Sequence, residues 1–245
     1  MKFYTSVEQA GDTILVRGYN EGRPYQDRVK FNPTLFLPSP EKSKWRTLDG
    51  KYVRPVKQGT IRDAKRFVQD HKDLPDFDIC GQTRYVNQYI YEEYPDESMS
   101  YDMGDIRVFT LDIETGAENG FPDIDSADQE ILLISIKDSN TNVISVFGTR
   151  PYDHNTKDGA HGDVKYMHFS SETAMLNAFI HWWSSNYPDV ITGWNVQLFD
   201  MPYIIRRINR VIGERESRLI SPWKNVYCRE IYIKGRRQIA YDISG

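Results

Sequence analysis

Hydrophobic and polar positions alternate in short bursts through the first hundred residues. "TILVRGYNEGRPYQDRVKF" reads as two strands around a turn at Asn20–Pro24, and "PTLFLP" as a third strand fenced by prolines. In "WRTLDGKYVRPV" the Asp49-Gly50 pair signals a tight hairpin. The period then lengthens. In "TIRDAKRFVQDH" the apolar positions Ile61, Ala64, Phe67 and Val68 fall on one helical stripe, and Thr60 with Asp63 has the form of a capping box. "RYVNQYIYEEYP" reads as another strand, near Arg84 to Tyr91.

Residues 92–105, "EEYPDESMSYDMGD", are acidic, polar and poor in aliphatics, which places a domain boundary there. The expected organisation is a β-rich N-terminal domain, 1–103, and a second domain, 104–245. In the second, "IRVFTLDIET" is an apolar run typical of a strand buried on both faces. "EILLISIKD" and "NVISVFGT" follow as strands joined by the turn "DSNTN". A long loop, "RPYDHNTKDGAHGD", leads to the short strand "VKYMHF". "SSETAMLNAFIHWWSSNYPD" predicts a helix capped by Ser170 or Ser171, with Met175, Phe179, Trp182 and Trp183 on its buried face. "DVITGWN" is a further strand. "MPYIIRRINRVIG" predicts a helix with Ile204, Ile208 and Val211 inward, Arg206, Arg207 and Arg210 outward, and Gly213 as its end. A three-strand meander, a helix, a strand and a helix make a mixed α/β layer, the order of elements in ribonuclease-H-like folds.

Composition narrows the classes. A hydrophobic share of 39% and an aromatic share of 13% support a real core. The net charge of −4 does not announce a polyanion binder, although local charge can. Cys80 and Cys228 lie far apart with no Cys-x-x-Cys pairing, which fits a reducing compartment and excludes a zinc site built on cysteine. The five histidines show no metal-ligand spacing. "MKFYTSVEQAGDT" lacks the apolar core of a signal peptide, and no apolar run approaches the length of a membrane span. The expectation is a cytoplasmic protein.

The chemistry begins at "VFTLDIETGAENGFP". On a strand, positions i and i+2 share a face, so Asp112 and Glu114 point the same way and repel unless a cation separates them. A third carboxylate, Asp200 in "GWNVQLFDMPYI", falls where a strand meets a helix. Three carboxylates from different elements would make an all-oxygen site suited to magnesium or manganese. Two such ions about 3.5–4 Å apart can bind a phosphodiester, activate a water and stabilise the leaving oxygen. Plainer readings stand beside this one: Asp200 as a helix N-cap, Phe199 as a core aromatic, Asn195 as a turn residue.

"DIET" followed by "NVQLFD", with "ITGWNV" before and "MPYI" after, resembles the first two exonuclease motifs of family-B DNA polymerases, Asp-x-Glu and Asn-x-x-x-Phe/Tyr-Asp. The β-rich first hundred residues are similar to the N-terminal domain of that family, in the manner of replicative polymerases of T-even-type tailed phages. The resemblance implies a 3′→5′ proofreading exonuclease using two divalent cations, Mg2+ or Mn2+. In that scheme Asp112 would bridge the metals, Glu114 would bind one, and Asp200 would hold a metal-borne water. Asn195 and Phe199 would touch a single-stranded DNA 3′ end, Phe199 by stacking, and Thr115 would contact the terminal nucleotide. The implied partners are primer-template DNA, RNA at the N-terminal domain, and the remainder of the polymerase chain. The third motif of the family, Tyr-x-x-x-Asp, has no match downstream. Its only occurrence, Tyr101 to Asp105, precedes Asp112. The expectation is an N-terminal piece with an incomplete exonuclease domain, weak in metal binding and in hydrolysis. The alternative is a nucleic-acid-binding or interaction module without chemistry.

A second signal is Lys42 to Arg66, with nine basic residues, two acidic ones, and Trp45 and Tyr52 between them. Lys44, Arg46, Lys51 and Arg54 could meet phosphates while the rings meet bases. The plainer alternative is a solvated hairpin-and-helix surface with its aromatics in the core. The basic late hairpin, around Lys234, Arg236 and Arg237, could guide single-stranded DNA or be a solvated turn.

Overall fold

A computed structural model describes residues 2–75, 77–81, 84–94, 101–118, 120–152 and 163–245. The chain separates into two compact units, Met1–Tyr101 and Asp102–Gly245. Parts of the acidic connection (95–100) and of the long loop after Arg150 (153–162) lie outside the described residues.

The first unit holds two antiparallel sheets. One is ordered β1-β2-β3, from Lys2–Ala10, Thr13–Asn20 and Arg23–Lys30. The other is ordered β4-β6-β5, from Thr34–Pro38, Tyr52–Lys57 and the short Trp45–Arg46. Helix α1, Ile61–His71, starts with the expected capping box: Thr60 and Asp63 each accept from the other's backbone N–H. It buries Ile61 and Ala64 among Ile14, Val16 and Leu35. The segment expected to be a strand near Arg84 to Tyr91 is instead helix α2, Tyr85–Glu93. Its two buried residues, Tyr85 and Tyr89, stand four apart, the spacing of one helical face, and join the core beside Phe31. Local β preference yields there to tertiary packing.

The second unit carries a five-stranded mixed sheet ordered β10-β9-β8-β7-β11. Strands β7 (Val108–Thr115), β8 (Ile131–Asp138) and β9 (Val143–Gly148) form an antiparallel meander. β10 (Asp163–His168) runs parallel to β9, and β11 (Val190–Thr192) parallel to β7. Helices α3 (Glu172–Ser184, capped by Ser171) and α4 (Asp200–Val211) supply the other layer. This is the ribonuclease-H-like arrangement that the element order predicts. A hairpin, β12 (Val226–Ile233) with β13 (Arg236–Ile243), follows. It turns on Lys234 and Gly235, both at positive φ, as a two-residue turn between twisted strands requires.

β7 is not buried on both faces. Phe109, Leu111 and Ile113 pack under α3 and α4, against residues such as Phe179, Trp183, Ile204 and Ile208, while Thr110, Asp112 and Glu114 are exposed on the other face. The core is dense in aromatics: Phe109 stacks on Trp182 at 5.5 Å and meets the edge of Trp183, whose indole N–H reaches the Ile220 carbonyl at 2.9 Å.

Arg207 departs from its expected outward position. It is buried, and it fastens α4 to α3 and to the β7–β8 connection. Its Nε and Nη2 donate to the two oxygens of Glu172 at 2.8 and 2.7 Å, and Nη1 donates to the carbonyls of Ala127 and Asp128 at 2.9 and 3.0 Å. Glu172 also accepts from Ile131 N–H at 2.8 Å, and the Tyr203 hydroxyl donates to the Gln129 carbonyl. A long cation can sit in the interior when every donor finds an acceptor and its charge is matched.

Candidate active site

The site forms where β7 loses its neighbour. β11 pairs with β7 over three residues, ending at Thr192 opposite Thr110. Gly193 then presses against β7 so closely that a Cβ would stand 2.4 Å from the Leu111 carbonyl oxygen, a place only glycine can take. Asn195 turns the chain at φ 57°, a left-handed conformation that asparagine adopts readily. Its carbonyl accepts the N–H groups of Leu198 and Phe199. That turn delivers Asp200 as the first residue of α4, and its Oδ1 accepts the Ile113 N–H at 3.3 Å. The carboxylate takes the ladder position that a longer β11 would fill. Asp200 is therefore not the N-cap: Phe199 holds that position, and the Asp200 side chain serves β7.

Ile113 lies between Asp112 and Glu114, so Asp200 is bonded to the backbone of the residue that separates the acidic pair. Asp200 is only 3% exposed, whereas Asp112 and Glu114 are open to solvent. Burial pushes the Asp200 carboxyl above its usual range, and the charges of Asp112 and Glu114 push the same way. Hydrogen bonds from its own backbone N–H and from Ile113 N–H pull against that rise. Carboxylate oxygens alone suit a hard divalent cation, and the repulsion felt at Asp200 is what a cation would relieve. Among the described residues, however, no group of three acidic, histidine or cysteine side chains is placed to grip one ion together.

Thr115 is half-buried at the end of β7, where the pairing with β8 shifts register after Glu114. Phe199 is half-buried, with its ring 5.7 Å from Tyr203 and 5.2 Å from Phe121. Both readings of Phe199 hold in part: it touches the core, and it borders a cleft of about 320 Å3 with Phe121, Asp123 and Gln238. Asn195 lines a second cleft, about 530 Å3, with Lys234 and Arg236 of the hairpin. Two exposed aromatics beside these clefts escaped the sequence reading. They are Phe121, 84% exposed, and Trp194, 92% exposed and next to Asn195. The signal for Phe121 was present: a large apolar residue between Gly120 and Pro122 has no periodic element to bury it.

In the first unit, Lys44, Arg46, Lys51 and Arg54 are all exposed on the β5–β6 hairpin. Arg46 faces Tyr52 across the strand pair, its guanidinium 4.5 Å from the ring centre, and donates to the Tyr52 hydroxyl. The Lys44 ammonium lies 5.0 Å from the Trp45 ring centre, and Lys51 pairs with Asp49 at 3.5 Å. The rings are surface groups covered by cations, not core aromatics.

The sheet order and its helix layer define a ribonuclease-H-like domain, with an acidic pair on β7, next to the short edge strand β11, and a third carboxylate at the start of α4. Residues 83–244 match the family model "DNA polymerase family B, exonuclease domain", and the chain belongs to that family. It is 31% identical over 266 residues to the DNA-directed DNA polymerase of Enterobacteria phage T4, covering 100% of this chain and 29% of that protein. It is 29% identical over 262 residues to the same-named protein of Escherichia phage RB69, covering 97% and 29%. A DNA polymerase catalytic subunit of human herpesvirus 8 is 34% identical over 110 residues, covering 42% and 10%. The chain thus spans under a third of the length of the phage relatives.

Proposed function

We propose that this chain carries the 3′→5′ proofreading site of a DNA-directed DNA polymerase and hydrolyses the last phosphodiester of a single-stranded DNA 3′ end. The observation that carries the reading is Asp200, bonded to the backbone between Asp112 and Glu114 and burdened by both their charges. Those three residues would hold two divalent cations, Mg2+ or Mn2+, which when bound supply charge neutralisation and Lewis-acid polarisation of a phosphodiester. The remaining roles fall to the chain itself. Phe199 and Phe121 stack on bases of a frayed end, an interaction worth about 1–3 kcal/mol per base that is indifferent to sequence. Asn195 and Thr115 orient the terminal nucleotide, and Lys234 and Arg236 meet the backbone. Lys44, Arg46, Lys51 and Arg54, with Trp45 and Tyr52, form a second contact face for template DNA or RNA. The remainder of the polymerase chain is a further partner, and the setting is the cytoplasm of a phage-infected bacterium.

A second reading, a binding module without chemistry, is favoured by the lack of a three-ligand cluster among the described residues. One experiment separates the two. The chain and its Asp112→Ala/Asp200→Ala variant are incubated with 3′-labelled single-stranded DNA and manganese. Cation-dependent loss of 3′ nucleotides, absent in the variant, supports the nuclease. Retarded but unshortened DNA supports the binding module.

A further inference from the structure

Asp125 lies in the β7–β8 connection and is shared by two elements. Its Oδ2 accepts from Arg237 Nη1 of the hairpin at 2.8 Å, and its Oδ1 lies 3.5 Å from Arg206 Nη2 of α4. Arg206 also donates to the Asp125 carbonyl at 3.4 Å, and Arg237 donates to Glu230 on the opposite hairpin strand at 2.7 Å. Next to Asp125, the Ser126 carbonyl accepts from Arg210 at 2.9 Å. Arg237, Gln238 and Ile239 form one wall of the cleft that ends at Phe199, and Phe121 to Asp125 form the other. Asp125 is thus the acidic side chain that ties the two walls together.

We propose that Asp125 is a positioning residue that docks the outer half of the β12–β13 hairpin against the β7–β8 connection through Arg206 and Arg237, and that a nucleic-acid phosphate competes with it for those two guanidiniums. All three side chains are partly exposed, so each pairing is weak and screened by salt. The base of the hairpin is fixed, with Ile239 and Ala240 buried and Val226, Tyr241 and Ile243 packed on the core, so what these pairs hold loosely is its outer half, 229–238. A phosphodiester carries the same charge as the Asp125 carboxylate and is the natural exchange partner for arginine. When a strand enters the cleft, Arg206 and Arg237 pass from Asp125 to the backbone, and the outer half of the hairpin moves from the β7–β8 connection onto the strand. The phosphate part of this proposal rests on the nuclease reading, whereas the docking part does not.

The test uses the whole chain with Asp125→Asn and the conservative Asp125→Glu. Backbone hydrogen exchange of 229–238 reads docking of that outer half without any DNA. It is expected to speed up roughly threefold to tenfold in Asp125→Asn, from two lost pairings, and to return toward wild type in Asp125→Glu. Binding of a fluorescent oligothymidylate in EDTA reads the competition. Asp125→Asn is expected to bind severalfold more tightly, because the carboxylate shared by Arg206 and Arg237 is gone and Glu230 alone still competes for Arg237, whereas a merely structural loss would weaken binding. Unchanged exchange overturns the docking, and unchanged or weaker binding overturns the competition. A wild-type chain that binds no DNA sinks the nuclease reading together with the competition, and the exchange result still decides the docking.

Discussion

Replacing Arg207 with methionine removes a buried cation while keeping much of its bulk. The change leaves the Glu172 carboxylate, itself buried, with the Ile131 N–H as its remaining hydrogen bond and strips the Ala127 and Asp128 carbonyls of their Arg207 donor. Breaking one side of a buried ion pair costs about 3–5 kcal/mol, chiefly because the partner charge stays behind. For a domain of this size that is roughly 10–15 °C in thermal midpoint. Denaturant unfolding of wild type, Arg207→Met, Glu172→Met and the double variant gives the measurement. The double variant has no stranded charge, so it should lose at least about 2 kcal/mol less than the two single losses summed. The same bonds anchor the connection that carries Phe121, so DNA binding should fall in Arg207→Met even well below its midpoint. A single-variant loss below about 1 kcal/mol, or additive losses, would refute the view that this pair is fully desolvated and mutually dependent.

Four further outcomes follow from the geometry. The raised Asp200 carboxyl contributes stability that is present at acid pH and is lost as pH rises through its folded-state value. Urea titrations in EDTA across that range should show the loss in wild type and a flatter profile in Asp200→Asn. Gly193→Ala forces a Cβ against the Leu111 carbonyl, so it should destabilise the second unit by about 1–3 kcal/mol and disturb the Asp200–Ile113 bond, seen as lost amide protection at Ile113. Thr60→Ala removes the α1 cap and should cost about 0.5–2 kcal/mol in unfolding free energy, with Thr60→Ser largely neutral. Phe121→Ala should weaken binding of a single-stranded oligonucleotide by about 1–3 kcal/mol in fluorescence titration without shifting the melting midpoint, since the ring is mostly exposed.

Much of the fold is legible in the chain because its strongest local signals agree with its tertiary fate. The α1 capping box, the Lys234-Gly235 turn and the meander all announce themselves. Misreadings occur where packing overrides local preference. β1, Lys2–Ala10, has no counterpart among the expected strands, and its register shift between Tyr4 and Ser6 interrupts the alternation along it. Tyr85 and Tyr89 belong to residue types favoured in strands, yet sit four apart on a buried helix face. The apolar look of β7 hid its open side, since Asp112 and Glu114 are only two positions in a long apolar run. Arg207 reads as a surface residue because nothing in its neighbourhood of sequence reveals Glu172, thirty-five positions earlier. In the site, residue types and spacing point to the Asp112, Glu114 and Asp200 trio, but the Ile113 bond and the clefts arise from elements far apart in the chain.

The brevity of β11 has a consequence for which length changes the chain can absorb. One more rung of pairing with β7 would hand the Ile113 amide to another strand and turn Asp200 aside, so an insertion before Gly193 that merely prolonged a comfortable ladder would erase the trio. A deletion between Thr192 and Asp200 would drag the helix start out of line. This stretch is held to a fixed number of residues by geometry, while the hairpin tip at Lys234 could gain or lose a residue with little effect on the acidic centre. Sequences that keep the count here and vary elsewhere would keep Asp200 bonded to the Ile113 amide. Those that change it would lose that bond.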